Sequence, residues 1–147
     1  MDAQQELRVV GQVMRRHFIA LAPGDALLEA ECLMRMARVR FLPVVMGGAL
    51  VGGLSHRALL VAALAKALPG ARSGALASWL RGTPVARIMA SPVSVTPGTS
   101  LGEATARLLD KGHGCLSVVE PGAGKNRLVG LLTASDLLRA AFDLSLR

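Results

Sequence analysis

Tyrosine is absent from the chain, and the aromatic residues are only four: Trp79, Phe18, Phe41 and Phe142. That excludes the stacked aromatic platform on which single-strand nucleic-acid binders hold bases. Acidic residues are also few, ten against seventeen Lys and Arg, which leaves a formal charge of +7. The cations are scattered through every segment and form no stripe or run, so the excess suits an anionic small molecule as well as a nucleic acid. A small basic nucleic-acid-binding protein is therefore the least favoured reading.

Cysteine is scarce too. Cys32 and Cys115 stand far apart with no CxxC spacing, and both read as small buried apolar residues. His17, His56 and His113 are equally dispersed, so no metal site is expected. Long apolar runs are missing: the longest, Ala58 to Ala65, is far too short to span a bilayer. The first eight residues carry Asp2 and Glu6 with no apolar run behind them, which argues against a secretory signal. A soluble cytoplasmic protein is the expectation. Signatures of catalysis are missing as well. There is no GxSxG elbow, HExxH helix or P-loop, and GAGKN at 122–126 lacks the phosphate-loop spacing. The carboxylates are too dispersed to form an acid–base pair, so no enzyme and no catalytic residue is expected.

What the chain does have is apolar residues, 52% of its 147, enough to bury a real core. Asp2 to Arg8 reads as a short polar helix and Val10 to Met14 as an apolar turn. Phe18 to Leu21 reads as a strand, stopped by Pro23 and Gly24. Apolar residues at Leu27, Ala30, Leu33, Met34 and Ala37 recur at helical spacing over Ala26 to Arg38. Strands then follow at Phe41 to Met46 and Leu50 to Leu54 around the turn Gly47-Gly48. Ser55 should cap a helix that Pro69 and Gly70 end near Leu68. Arg72 to Thr83, rich in Ala, Ser and Gly, reads as a linker anchored by Trp79.

After Pro84 the pattern returns. A turn at Val85 to Met89, a strand at Val93 to Val95 and a helix from Leu101 to Lys111 are followed by strands at Cys115 to Val119 and Leu128 to Leu132. The last helix starts at Ala134. Met14 and Met89 lie 75 apart, Pro23 and Pro97 lie 74 apart, and so do Val44 and Val118. Gly52 and Gly130 lie 78 apart, because the second hairpin has the longer turn EPGAGKN. An internal repeat that keeps register through helices and strands defines the organisation: a first repeat within 1–68, a linker at 69–84 and a second repeat at 85–147.

Four marks occur twice or in fixed order: the entry VGQVM and VARIM, the pairs Glu29-Ala30 and Glu103-Ala104, the strand LPVV at 42–45, and the exit LVGGLSHRA and LVGLLTASD. Together they resemble the cystathionine-β-synthase (CBS) domain, which occurs as a tandem pair, and the resemblance covers nearly the whole chain. It implies an α/β fold of two β-α-β-β-α repeats packed sheet to sheet about a pseudo-two-fold axis, with two clefts between the repeats. It also implies a regulatory module that needs no cofactor and binds AMP, ADP, ATP or S-adenosylmethionine, and a homodimer.

The exit motif of the second repeat, GLLTASDLL at 130–138, places Thr133 at a helix N-cap and Asp136 three residues on. A capping box alone explains that spacing. The same geometry offers free N–H groups to a phosphate, and an acceptor-only carboxylate to both hydroxyls of a ribose. By resemblance, Thr133, Ser135 and Asp136 meet the ribose and phosphate, while Phe18, Ile19, Val39, Arg40 and Pro43 surround the base. A plain core role fits Phe18, Ile19 and Val39 equally. In the first repeat the motif is GGLSHRALL, and Ala58 stands where the carboxylate would be. The second cleft, with Ser55, His56, Arg57, Val93, His113 and Gly114, is therefore the weaker site. His56 and Arg57 still sit in a first helical turn, where a cation is disfavoured unless an anion is near. A module that has lost ligand binding and serves only dimerisation is the alternative; the apolar helix from Ala58 to Leu68 would be its interface.

Overall fold

The computed structural model describes residues 8–67, 74–111, 114–122 and 124–145. The chain divides into two compact α/β units. One runs from Ile19 to Pro92, and the other joins the N-terminal stretch up to Phe18 to the residues from Val93 onward. Each unit therefore holds the helices and hairpin of one repeat together with the entry turn of the other. Among the described residues no helix is long and apolar enough to cross a membrane.

In the Ile19–Pro92 unit, helix α1 (Leu27–Ala37) buries Leu27, Ala30 and Met34, three positions that share one helical face. Strands β1 (Phe41–Met46) and β2 (Ala49–Ser55) pair antiparallel. Gly47 and Gly48, at φ 59° and 82°, make the two-residue turn whose left-handed backbone matches strand twist. Helix α2 (His56–Ala67) starts where the Ser55 hydroxyl accepts the Ala58 N–H at 3.1 Å. The stretch expected to be a linker instead contributes helix α3 (Ala75–Gly82). Its Leu80 is buried, and Leu76 and Trp79 pack against the same core, so three large apolar residues at helical spacing fold the segment. The entry turn at Val85–Arg87 is a single 3-10 turn.

The second unit repeats this plan. Its entry turn is Val10–Gln12, again 3-10. Strand β3 (Ser94–Val95) runs parallel to β4 (Cys115–Gly122), which pairs antiparallel with β5 (Lys125–Thr133). Helices α4 (Leu101–Lys111) and α5 (Ala134–Ser145) complete it. The two cores use matching positions: Ala30 and Ala104, Leu42 and Leu116, Val44 and Val118, Leu54 and Leu132, Val10 and Val85 are all buried. Both hairpins shift register at the same place, after Val44 and after Val118, opposite Gly52 and Gly130. Duplicated sequence has thus produced duplicated packing down to a β-bulge.

Those two glycines seat the entry turns. A Cβ on Gly130 would lie 2.8 Å from Met14 Sδ and 2.9 Å from the Arg15 carbonyl oxygen, and one on Gly52 would lie 2.7 Å from Met89 Sδ. Only a bare backbone lets a second chain segment approach a strand this closely.

One expected strand shrinks. Leu21 makes a single parallel bridge to Val44, with its N–H given to the Pro43 carbonyl at 2.9 Å, and no strand extends over 18–21. Ala22 and Pro23 already belong to the turn that the Asp25 carboxylate closes by accepting the Ala22 N–H at 2.8 Å. The helix expected at Asp2 to Arg8 lies, apart from Arg8, outside the described residues.

Candidate functional site

The N-terminus of α5 carries a buried carboxylate, Asp136. Thr133 ends β5 and acts as N-cap. Its hydroxyl accepts the Asp136 N–H at 3.1 Å, and its own N–H donates to Asp136 Oδ2 at 3.0 Å, a complete capping box. Asp136 is buried at 6% exposure, so its carboxylate needs partners. A further partner comes from Arg15, whose Nε donates to Oδ1 at 3.0 Å and to Oδ2 at 3.2 Å. Ser135, in the same first turn, is exposed.

The capping role of Asp136 is therefore real, and it leaves a buried, acceptor-only group at a positive helix end. Nearby Cys115 responds to this field. Burial, and next the Asp136 carboxylate, push its thiol up to about 12, with Arg15 pulling the other way. Cys115 is thus an unreactive packing residue.

In the Ile19–Pro92 unit, the loop after α1 and the start of α2 enclose a cavity of about 390 Å³ lined by Glu31, Met34, Arg35, Arg38, Val39, Arg40 and His56. One backbone bond builds it: the His56 N–H donates to the Arg40 carbonyl at 2.7 Å, which brings the loop against the helix start. The second unit repeats that bond between the Ala134 N–H and the Gly114 carbonyl, at 3.0 Å. Arg35 is committed to Glu31 at 3.0 Å. Arg38 and Arg40 are exposed, and neither has an ion-pair partner among the described residues. Arg38 also holds the left-handed conformation, φ 55° and ψ 42°, in a Schellman motif that Val39 closes by donating to the Met34 carbonyl at 3.0 Å. Glycine is the ordinary occupant of such a position, and Gly112 is its counterpart in the second repeat. Two uncommitted guanidiniums and an imidazole around one cavity favour an anion.

The structure thus gathers Val39, Arg40 and His56 at one cavity within one unit. Ile19 and Val39 are 42% and 37% exposed, Phe18 is half-buried, and Pro43 is fully buried within β1. Ser55 serves as the cap of α2, and Arg57 is exposed. Val93 packs against the second core. Gly114, at φ 70°, gives its carbonyl to α5, and His113 lies outside the described residues.

Sequence reading missed two residues. Arg15 directly follows VGQVM, and its counterpart 75 residues on is Ala90, just as the counterpart of Asp136 is Ala58. Arg38 is matched by Gly112. Comparing the two copies position by position reveals both.

No curated protein matches the chain. Among solved structures, the acetoin utilization protein AcuB of Vibrio cholerae is 30% identical, with 95% of this chain and 93% of that one covered at a TM-score of 0.75. The CBS-pair protein CBSX2 of Arabidopsis thaliana is 28% identical over 95% of this chain and 98% of its own, at 0.78. A structure of CBSX2 in complex with AMP is 28% identical, covering 94% and 98%, at 0.75. The family model of the CBS domain matches twice, at residues 10–65 and 85–143, and these bounds fall on the two repeats whose cores, bulges and helix caps correspond. The chain belongs to the CBS domain family and carries two such domains in tandem.

Proposed function

We propose that this CBS pair is a regulatory, non-catalytic sensor of an adenosine-containing ligand: AMP, ADP, ATP or S-adenosylmethionine. The observation that carries the reading is Asp136, a buried carboxylate at the N-terminus of a twelve-residue helix, with Thr133 beside it. A carboxylate accepts and cannot donate, so a vicinal diol is the complementary partner, and the helix end favours phosphate. The Ile19–Pro92 unit, taken by itself, has a cavity at Arg38, Arg40 and His56 that offers positive charge to an anionic group of its own. Support from a relative is the complex of CBSX2 with AMP.

Calorimetric titration with the four compounds is the test, because it reports identity and stoichiometry together. Binding of at least one is expected, with loss in Asp136→Asn, a variant that keeps an oxygen for the Thr133 N–H. No heat and no rise in melting temperature at millimolar concentration would overturn the reading, since any ligand selective for the folded state must stabilise it.

A second reading, that the pair also dimerises, draws on one feature. Leu60 and Leu64 of α2 are 49% and 46% exposed, and the matching residues of α5, Leu138 and Phe142, are 71% and 60% exposed. The same two positions on equivalent helices suit a second copy of the chain. Sedimentation of wild type against Leu64→Glu tests it: a dimer that the variant dissolves supports the reading, and a wild-type monomer ends it.

A further inference from the structure

The carboxylate proposed to receive a ribose is already covered. Arg15 donates through Nε to both Asp136 oxygens, while Thr133 N–H takes a further acceptor position on Oδ2. The two partners differ in freedom: the Asp136 side chain is 5% exposed and the Arg15 side chain 51%. Apart from that ion pair, Arg15 is held through its backbone, which gives its N–H to the Leu131 carbonyl at 2.8 Å and accepts the Leu131 N–H at 2.9 Å. Rotation about its side-chain torsions can therefore uncover the carboxylate without moving the strand.

The first repeat supplies an internal control. There the bridge between Ala90 and Gly53 reproduces the one between Arg15 and Leu131, with the same pair of backbone bonds, at 2.9 and 3.1 Å. The entry segment thus docks equally well without an arginine. Arginine and carboxylate are present together in one copy and replaced together by Ala90 and Ala58 in the other. Arg15 belongs with Asp136, and the docking of the entry turn does not require it.

We infer that Arg15 is a specificity-determining residue: it occupies the Asp136 carboxylate in the empty protein and selects anionic adenosine compounds over neutral nucleosides. The inference rests on the proposed role of Asp136. A diol that takes the carboxylate oxygens releases the guanidinium. A ligand phosphate gives the released cation a new charge-assisted partner, and a neutral nucleoside leaves it to water. One such bond corresponds to about a tenfold preference for AMP over adenosine.

The experiment is titration of AMP and adenosine into the full chain, as wild type, Arg15→Lys, Arg15→Ala and Arg15→Gln. Arg15→Gln keeps a hydrogen-bond donor beside Asp136 if the alanine variant fails to fold. In Arg15→Ala and Arg15→Gln, adenosine should bind more tightly while AMP does not, so that the preference falls about tenfold. Arg15→Lys should retain most of it. Binding of either compound confined to the neutral variants would show that Arg15 blocks the carboxylate without selecting AMP, and would overturn the inference. An unchanged preference in Arg15→Gln, with both compounds binding, overturns it and leaves the adenosine reading standing. If neither compound binds any form, the inference falls, and the adenosine reading falls with it only if ADP, ATP and S-adenosylmethionine also fail to bind.

Discussion

Met14 rests on the bare backbone of Gly130, where an added Cβ would come within 2.8 Å of its sulfur and 2.9 Å of the next residue's carbonyl oxygen. The thioether could shift, but the carbonyl is fixed by the Leu131 N–H at 2.9 Å. Gly130→Ala must therefore move backbone, at about 1–3 kcal/mol, the usual range for overpacking. Denaturant unfolding should show that loss. Because the displaced residue is Arg15, the variant should also lose the Arg15 contact with Asp136, visible as solvent exchange of the Arg15 Nε proton. A Gly130→Ala protein as stable as wild type would mean that the entry turn does not press on β5.

Much of this was legible from the residues. The repeat offset located both hairpins, both capping hydroxyls and the helix from Leu101 to Lys111, because periodicity and turn chemistry are local signals. The helix at Ala75–Gly82 was not, since an Ala, Ser and Gly stretch has no strong preference until Trp79 and Leu80 find a core. The strand expected at Phe18 to Leu21 failed for the opposite reason: β-propensity in four residues does not outweigh a turn that begins at Ala22. At the site, Thr133 and Asp136 declared themselves by spacing. Arg15 lies 121 residues from Asp136, a contact that only the folded chain brings together.

The capping box can be weighed against its counterpart. Thr133→Ala removes an acceptor from the Asp136 N–H and Ser55→Ala removes one from the Ala58 N–H; each should cost about 1 kcal/mol. Asp136→Ala should cost more, about 3 kcal/mol, because it also deprives the Thr133 N–H and leaves the Arg15 guanidinium without its carboxylate. Equal losses in all three, measured by urea unfolding, would show that Asp136 contributes no more than a cap.

Cys115 gives a pH dependence with a definite sign. Its folded-state thiol is raised from 9.0 to about 12, so the unfolded chain releases the proton first as pH rises. The associated stability is complete below pH 9 and declines between about 9 and 12, by about 1.4 kcal/mol per pH unit. Cys115→Ala should flatten that decline, and an identical slope in the two proteins would remove the thiol as its source. At pH 8 the same shift leaves a thiolate fraction near one in ten thousand, on the order that makes Cys115 inert to a thiol reagent until the protein unfolds.

Arg38 offers the sharpest separation of stability from binding. It adopts φ 55° at the end of α1, where a side chain with a Cβ is disfavoured by about 1–2 kcal/mol. It lines the cavity together with Arg40 and His56 and has no ion-pair partner among the described residues. Arg38→Gly should therefore raise stability, by about 1 kcal/mol after the entropy of the glycine is counted, and Arg38→Ala should not, because alanine keeps the strained Cβ. If the cavity receives an anion of its own, both variants should weaken the binding of inorganic phosphate there by about tenfold, the contribution of one charge-assisted hydrogen bond. Paired thermal melts and titrations read the two effects apart. A gain in stability without any loss of phosphate binding would leave the arginine at this position without a functional reason.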